Sequence, residues 1–345
     1  MNQDKQLKLS VLDLVLMWHR ASAGAAIGET VELARHVEQL GYTRFWLAEH
    51  HNTPWQASSA PELLIPQVAA ATSRLRVGSG GVMLPNHTAL KVVENFNTLE
   101  ALYPGRIDLG IGRAPGTDSV TALALRRTRQ AFRPEEFPEQ LDELLAFFTG
   151  EFPADHPFSR ITPVPVVETM PTIWLLGSSD YGARMAAQYG LGFAFAHHIA
   201  PDPAIPVSRM YRREFQPSAL LPAPRSILAV SAFCADTEEE AEDVAAMLTL
   251  RWVRMRQGWA SPPPTLEEAR AYRYSPAEAE LAATMRARLF AGAVEPVARA
   301  IRALAHEAEA DEVMVLTMTP DAAARRRSYA LLAEAFGIRP TGAAR

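Results

Sequence analysis

Short runs that are apolar at consecutive positions recur along the chain. Between them lie stretches in which apolar residues return every three or four positions. The runs are LSVLDLVL at 9–16, FWLA at 45–48, LRVGSG at 75–80, IDLGI at 107–111, TIWLL at 172–176, GFAFA at 192–196, SILAVSAFCA at 226–235 and DEVMVL at 311–316. Such runs predict strands covered on both faces, as in a parallel sheet. The stretches between them predict amphipathic helices. In ETVELARHVEQLG, for example, Val31, Leu33, Ala34, Val37 and Leu40 make one stripe, and Gly41 supplies the C-terminal stop. Eight strand–helix units are the number that closes a (β/α)8 barrel, so the expected fold is α/β, a TIM barrel.

Two connections are longer than the rest. Residues 112–171 follow the fourth strand and 236–310 follow the seventh, and proline-rich segments such as Ser261-Pro262-Pro263-Pro264 break their helices. They are expected to be insertions in a single barrel domain over 1–340, with 341–345 a tail. Loops after barrel strands lie on the face where ligands bind.

Composition narrows the function classes. The 345 residues are 48% hydrophobic and 21% charged, ample for a large core, and the formal net charge is -5. With arginines scattered over helical faces, nucleic acid is a poor partner. Arg325, Arg326 and Arg327 form a basic run expected to be a solvated helix face. Cys234 stands alone in an apolar strand, which excludes an internal disulfide and fits a reducing compartment. No apolar run approaches the ~18 residues needed to span a bilayer, and MNQDKQLKLS has no apolar signal core, so a cytoplasmic protein without membrane contact is expected.

Four motifs carry candidate chemistry. FWLAEHHNTP brings Trp46, Glu49, His50 and His51 to the carboxyl end of the second strand, where alternation lets only one of the two histidines face the cavity. His197 and His198 close the sixth strand. Adjacent histidines cannot both reach one ion without a bend, and no HExxH or CxxC spacing is present, so no metal site is expected. VGSGGVM and LGIGRAPG are two strands that break into glycine turns, with Arg113 the natural counter-charge for an anionic ligand. Neither is a dinucleotide fingerprint, because Met83 and Pro115 hold the third glycine's place; redox chemistry here calls for a donor from outside. LLGSSDYG delivers Gly177, Ser178 and Ser179 into a helix N-terminus that suits a phosphate, with Asp180 expected to turn away and cap. A hydrogen-bonded loop pair of histidines and an ordinary N-cap are the structural alternatives for the first and last motifs.

Taken in order, FWLAEHH, the block VGSGGVMLPNHTALKVVENFNTLEALYPGRIDLGIGRAPG and LLGSSDYGARMAAQYGLGFAFAHH resemble the luciferase-like flavin-dependent monooxygenases, the bacterial luciferase superfamily. The resemblance covers most of residues 9–200 and continues more weakly to the strand around Val313. Gly112 stands where luciferase carries a reactive cysteine, which points to a non-luminescent branch. The resemblance implies a barrel, often homodimeric, that takes reduced FMN from a separate flavin reductase and uses O2 to oxidise a small apolar organic substrate. His50 matches the family's catalytic histidine, an acid–base group suited by a near-neutral pKa. Arg113 matches its phosphate-clamping arginine, and Gly177, Ser178 and Ser179 its phosphate turn. Ser79, Gly80 and Gly81 correspond to a turn with a non-prolyl cis peptide under the flavin ring.

The alternatives are a deazaflavin-dependent hydride-transfer oxidoreductase and a non-catalytic flavin-binding partner subunit. Met17, Trp18, His19, Met83, Leu84, Phe132, Phe137 and Phe158 are candidates for the apolar wall of a substrate pocket.

Overall fold

The computed structural model describes residues 7–18, 21–126, 136–259 and 261–340. His19 and Phe132 lie outside the described residues. The chain runs through β1 (Lys8–Asp13), α1 (Ala23–Leu40), β2 (Arg44–Leu47), α2 (Pro61–Ala71), β3 (Arg76–Met83), α3 (Ala89–Leu102) and β4 (Ile107–Gly112). It continues through α4 (Ser119–Arg126), α5 (Phe137–Thr149), β5 (Thr172–Gly177), α6 (Asp180–Gln188), β6 (Gly192–Ala196), α7 (Ala204–Glu214) and β7 (Ser226–Ala235). The last part holds α8 (Glu238–Arg256), α9 (Leu266–Ala271), α10 (Pro276–Arg286), β8 (Leu289–Ala293), α11 (Val294–Glu307), β9 (Glu312–Leu316) and α12 (Ala322–Phe336).

The sheet order is β6-β5-β4-β3-β2-β1-β9-β7-β8, and a further β6–β7 pairing closes the barrel with every strand parallel. The eight barrel strands are the eight apolar runs of the sequence. β8 is an addition the sequence pattern did not reveal. Ile227–Ser231 of β7 pair with β9, whereas Ser231–Ala235 run past the rim and pair with β8. The overhang would otherwise be an open edge, which β8 covers.

Alternation along the strands sorts side chains into two layers. Phe45 and Leu47 of β2 pack outward against the helices, and Trp46 and Ala48 belong to a second cluster inside the barrel and over its mouth. Helix α1 buries Ala26, Leu33, Ala34 and Val37 against the outer layer and stops at Gly41, whose φ of 93° is the left-handed conformation the sequence predicted there.

The amino end of the barrel is plugged by paired charges. Arg44 Nη1 lies 2.7 Å from Asp108 and its Nε 2.6 Å from Glu312, while Arg76 Nη2 lies 2.7 Å from the other Asp108 oxygen. Trp46 Nε1 donates to Asp108 at 3.0 Å. Burial pushes the Asp108 carboxyl up, but Arg44 and Arg76 outweigh it and hold it below its usual range. With Trp46 and Trp174 packed edge to face at 5.7 Å, the open space is left at the carboxyl ends of the strands.

Arg325 corrects the expectation of a solvated basic face. It is half-buried, its Nη2 lies 2.8 Å from Asp13, and its Nε donates to the Thr317 carbonyl at 3.0 Å, tying α12 to β1 and β9. Arg326 and Arg327 pair at the surface with Glu29 and Asp236. Cys234 is buried as expected, and burial pushes its thiol up to about 12. Among the described residues no helix is long and apolar enough to cross a membrane.

Candidate active site

The carboxyl ends of the strands open into a cavity of about 1140 Å³, counting its open mouth. Gly80 lies on its floor at the end of β3, and the Gly80–Gly81 peptide is cis, where the family resemblance put such a bond. A Cβ on Gly80 would stand 2.8 Å from Leu12 Cδ1 and 3.0 Å from Trp46 Cβ, so only glycine leaves the floor flat. The Ser79 hydroxyl is committed to β4: it donates to the Gly110 carbonyl at 2.8 Å and accepts from the Gly110 amide at 3.0 Å.

At the end of β2 the neighbouring side chains part as alternation predicted. His50 lines the cavity, and its Nδ1 is buried with no hydrogen-bond partner among the described residues. His51 turns to Glu49, its Nε2 2.7 Å from Oε1, and His87 reaches the same oxygen at 2.8 Å. The Met83 amide donates to the other Glu49 oxygen at 2.9 Å. Burial alone would raise the Glu49 carboxyl, but the bonds from His87, His51 and Met83 hold it below its usual value. Burial lowers His87, yet its contact with Glu49 leaves the net shift upward.

His50 differs from the near-neutral group expected from the sequence. Burial first, and then the charge of Arg251, push it down to about 4, so it is a neutral imidazole at ordinary pH. Its two flanking carboxylate and imidazole neighbours, Glu49 and His51, are occupied with each other.

His197 and His198 also diverge. His198 lines the cavity with its Nδ1 3.1 Å from the Ala229 carbonyl, and His197 stacks on Phe290 of β8 at 5.5 Å. Among the described residues no group of three or more His, Cys, Asp and Glu side chains is arranged around a metal position.

The same cavity is also lined by Arg113, Gly177, Ser178, Ser179 and Tyr181. The Arg113 guanidinium sits 4.1 Å from the centre of the Tyr181 ring and has no carboxylate partner among the described residues. Helix α6 begins beside it with Ser179 as an extended N-cap whose side chain makes no capping bond, leaving the first amides to an outside acceptor. Asp180 points away, as expected, but does not cap. It is the first helical residue, and its carboxylate lies 3.7 Å from Arg184 one turn on.

Of the apolar candidates, Met83 and Phe137 line the cavity, beside Leu175 and Leu176. Leu84 and Met17 pack in the outer core, Phe158 stacks on Phe147 at 5.9 Å, and Trp18 borders a separate cavity near Arg325.

His87 and Arg251 escaped the sequence reading. His87 had a usable signal, since it follows the end of β3 and therefore sits on the ligand-binding face.

The luciferase-like monooxygenase family matches residues 8–312. The chain is 36% identical over 337 residues to the N-acetyl-S-alkylcysteine monooxygenase of Bacillus subtilis, covering 95% of this chain and 98% of that one. The crystal structure of apo-MsnO8 superposes with a TM-score of 0.88 at 37% identity, over 97% of this chain and 99% of that one. The oxygenating constituent of 3,6-diketocamphane monooxygenase from Pseudomonas putida, solved in complex with FMN, has the same fold at a TM-score of 0.70 and 18% identity, over 97% and 98% of the two chains. A family match through almost the whole barrel, with a relative covered end to end, makes this chain a member of the luciferase-like monooxygenase family of enzymes.

Proposed function

We propose that the protein is the oxygenase of a two-component system: it takes reduced FMN from a separate flavin reductase and uses O2 to oxidise a small organic substrate through its apolar part. The observation that carries this reading is the pairing, in one cavity, of a flat glycine floor at Gly80 with a wall where Arg113 meets the uncapped start of α6. A flavin mononucleotide asks for both features, a planar support for the ring and a cationic, amide-rich pocket for the phosphate.

Bound there, reduced FMN would supply two electrons and the centre at which O2 reacts, with one oxygen going to the substrate and the other to water. Arg113, Ser178, Ser179 and the α6 amides would hold the phosphate. Ser79, Gly80 and Gly81 would support the ring through backbone. His50, neutral and facing the cavity, would accept or return a proton at its unpartnered Nδ1. Met83, Leu175 and Leu176 would keep water from the reacting centre. The Bacillus relative's name makes a thioether that bears an N-acetyl group and a carboxylate the first substrate class to assay. A cytoplasmic homodimer completes the proposal.

The test is turnover of N-acetyl-S-benzylcysteine with enzymatically supplied FMNH2 in air. Sulfoxide formed in step with flavin oxidation is the expected result. Hydride transfer from a reduced deazaflavin, with no oxygenation by FMNH2, would replace this reading with the deazaflavin one. Flavin binding without turnover of any thioether, ketone or alkene would favour the non-catalytic subunit.

A further inference from the structure

Two imidazoles line the cavity, His50 after β2 and His198 after β6. His198 is tied twice to Ala229, the β7 partner of Ala196, which also lines the cavity. Its backbone amide donates to the Ala229 carbonyl at 3.2 Å, and its Nδ1 lies 3.1 Å from the same oxygen. A carbonyl oxygen only accepts, so Nδ1 carries the proton. Burial lowers the ring from its ordinary 6.5 and outweighs the Ala229 bond, so the imidazole is neutral at pH 7.5. A neutral ring protonated at Nδ1 holds its lone pair at Nε2, which can only accept. Among the described residues no group bonds to His198 Nε2, and it is not sealed within protein as His50 Nδ1 and His197 Nδ1 are.

The barrel order sets where this acceptor stands. The Gly80 floor, Arg113 and the serines before α6 belong to β3, β4 and β5, the arc proposed to hold the flavin. The arc continues through β6 and β7, where Ala194, Ala196, His198, Ile199 and Ala229 line the cavity. His198 is the polar side chain of that stretch, and alanine and isoleucine surround it. An acceptor set in an apolar wall selects for a donor, because a ligand without one desolvates the lone pair and returns nothing.

We infer that His198 is a specificity-determining residue whose Nε2 accepts a hydrogen bond from an amide N–H of the substrate, while the substrate's apolar part packs on Ala196, Ile199 and Ala229. The inference rests on the reading of the cavity as an oxygenase site and adds to it the polar group by which the substrate is held. An N-acetylated thioether, the class proposed above, has its amide N–H as its hydrogen-bond donor once its carboxyl is ionised. The bond from Nδ1 to Ala229 fixes the plane of the ring, so the acceptor also fixes the orientation of the group it holds.

The experiment is calorimetric titration at pH 7.5 of the protein loaded with oxidised FMN, which prevents turnover. The ligands are N-acetyl-S-benzylcysteine and its O-acetyl analogue, in which an ester oxygen replaces the N–H and the carboxylate and benzyl thioether are kept. Wild type, His198→Phe and His198→Gln are compared, with FMN affinity and thermal midpoint measured for each. Wild type is expected to bind the amide at least tenfold more tightly than the ester, which sets one lone pair against another. His198→Phe, a ring without an acceptor, should bring that ratio within twofold and leave FMN affinity within threefold. His198→Gln, whose side-chain carbonyl accepts, should keep part of the ratio. The wild-type ratio is decisive whether or not either variant folds. Equal binding of amide and ester by wild type, or no saturable binding of the amide, overturns the inference. So does an unchanged ratio in His198→Phe, and a tenfold loss of FMN affinity in that variant would then assign the acceptor to the cofactor. Tight His198-dependent amide binding with no oxidation under FMNH2 and O2 would sink the oxygenase reading and leave the acceptor site standing.

Discussion

Arg113 stacks its guanidinium 4.1 Å from the centre of the Tyr181 ring, so a residue at the end of β4 is held against the first turn of α6. Stacking fixes the plane of the guanidinium while leaving its N–H edge free, the arrangement a phosphate needs. Replacing Arg113 with methionine should weaken FMN binding at least tenfold and leave riboflavin binding nearly unchanged. Fluorescence titration with the two flavins checks this, and an equal loss for both would show that Arg113 does not read the phosphate.

The Gly80 floor predicts a steric result. A valine side chain there would collide with Leu12 and Trp46, which are packed on the barrel axis above the Arg44–Asp108 plug. Gly80→Val should abolish FMN binding, whereas Gly105→Ala, at a position with open space around its Cβ but a φ of 73°, should cost about 1 kcal/mol and spare binding. Flavin titration alongside urea denaturation separates the two effects.

Glu49 makes a pH-dependent knot of the loops after β2 and β3. Its own depressed pKa gives a contribution to stability that is present above its unfolded value of 4.5 and fades as pH falls through the folded value. The raised pKa of His87 gives one that is full below 6.5 and fades as pH rises through its folded value. Glu49→Gln should therefore cost about 1–3 kcal/mol near pH 5.5 and less near pH 9. Urea midpoints of the two proteins across pH would test this, and a pH-independent difference would contradict it.

His50 titrates among Arg251, Glu49, His198 and His51, and folding brings it from 6.5 to about 4. Between those values the unfolded chain takes up a proton that the folded chain refuses, so this group makes stability fall with acid. In turnover the neutral imidazole should persist through pH 5 to 8, giving a flat rate profile with its acid limb well below 6.5. His50→Asn should lower kcat by about 10²- to 10⁴-fold with FMN affinity retained. An acid limb near 6.5 in the wild type would remove the proposed environment of His50.

Much of this was legible because the barrel writes itself in two periods. Trp46 and Ala48 alternate with Phe45 and Leu47, and the same alternation sent His50 to the cavity and His51 away. The family resemblance pointed to the Gly80 turn and the helix start to the serines before α6, and the fold brings Gly80, Ser178 and Ser179 to one cavity. Three features were hidden for physical reasons. β8 is a five-residue half-buried strand that exists only because β7 overruns the rim. His87 gains meaning from Glu49, which is 38 residues away in sequence. Arg251 reads as one more helix arginine until its burial shows that it occupies the apolar stripe of α8.

We propose a cavity built for a reduced flavin with a phosphate. Anaerobic titration with dithionite-reduced FMN and reduced riboflavin measures it without any knowledge of the substrate. One saturable FMNH2 site per chain is expected, at least tenfold tighter than that for reduced riboflavin and lost in Gly80→Val. No saturable FMNH2 binding, or equal affinity for the two reduced flavins, would contradict it.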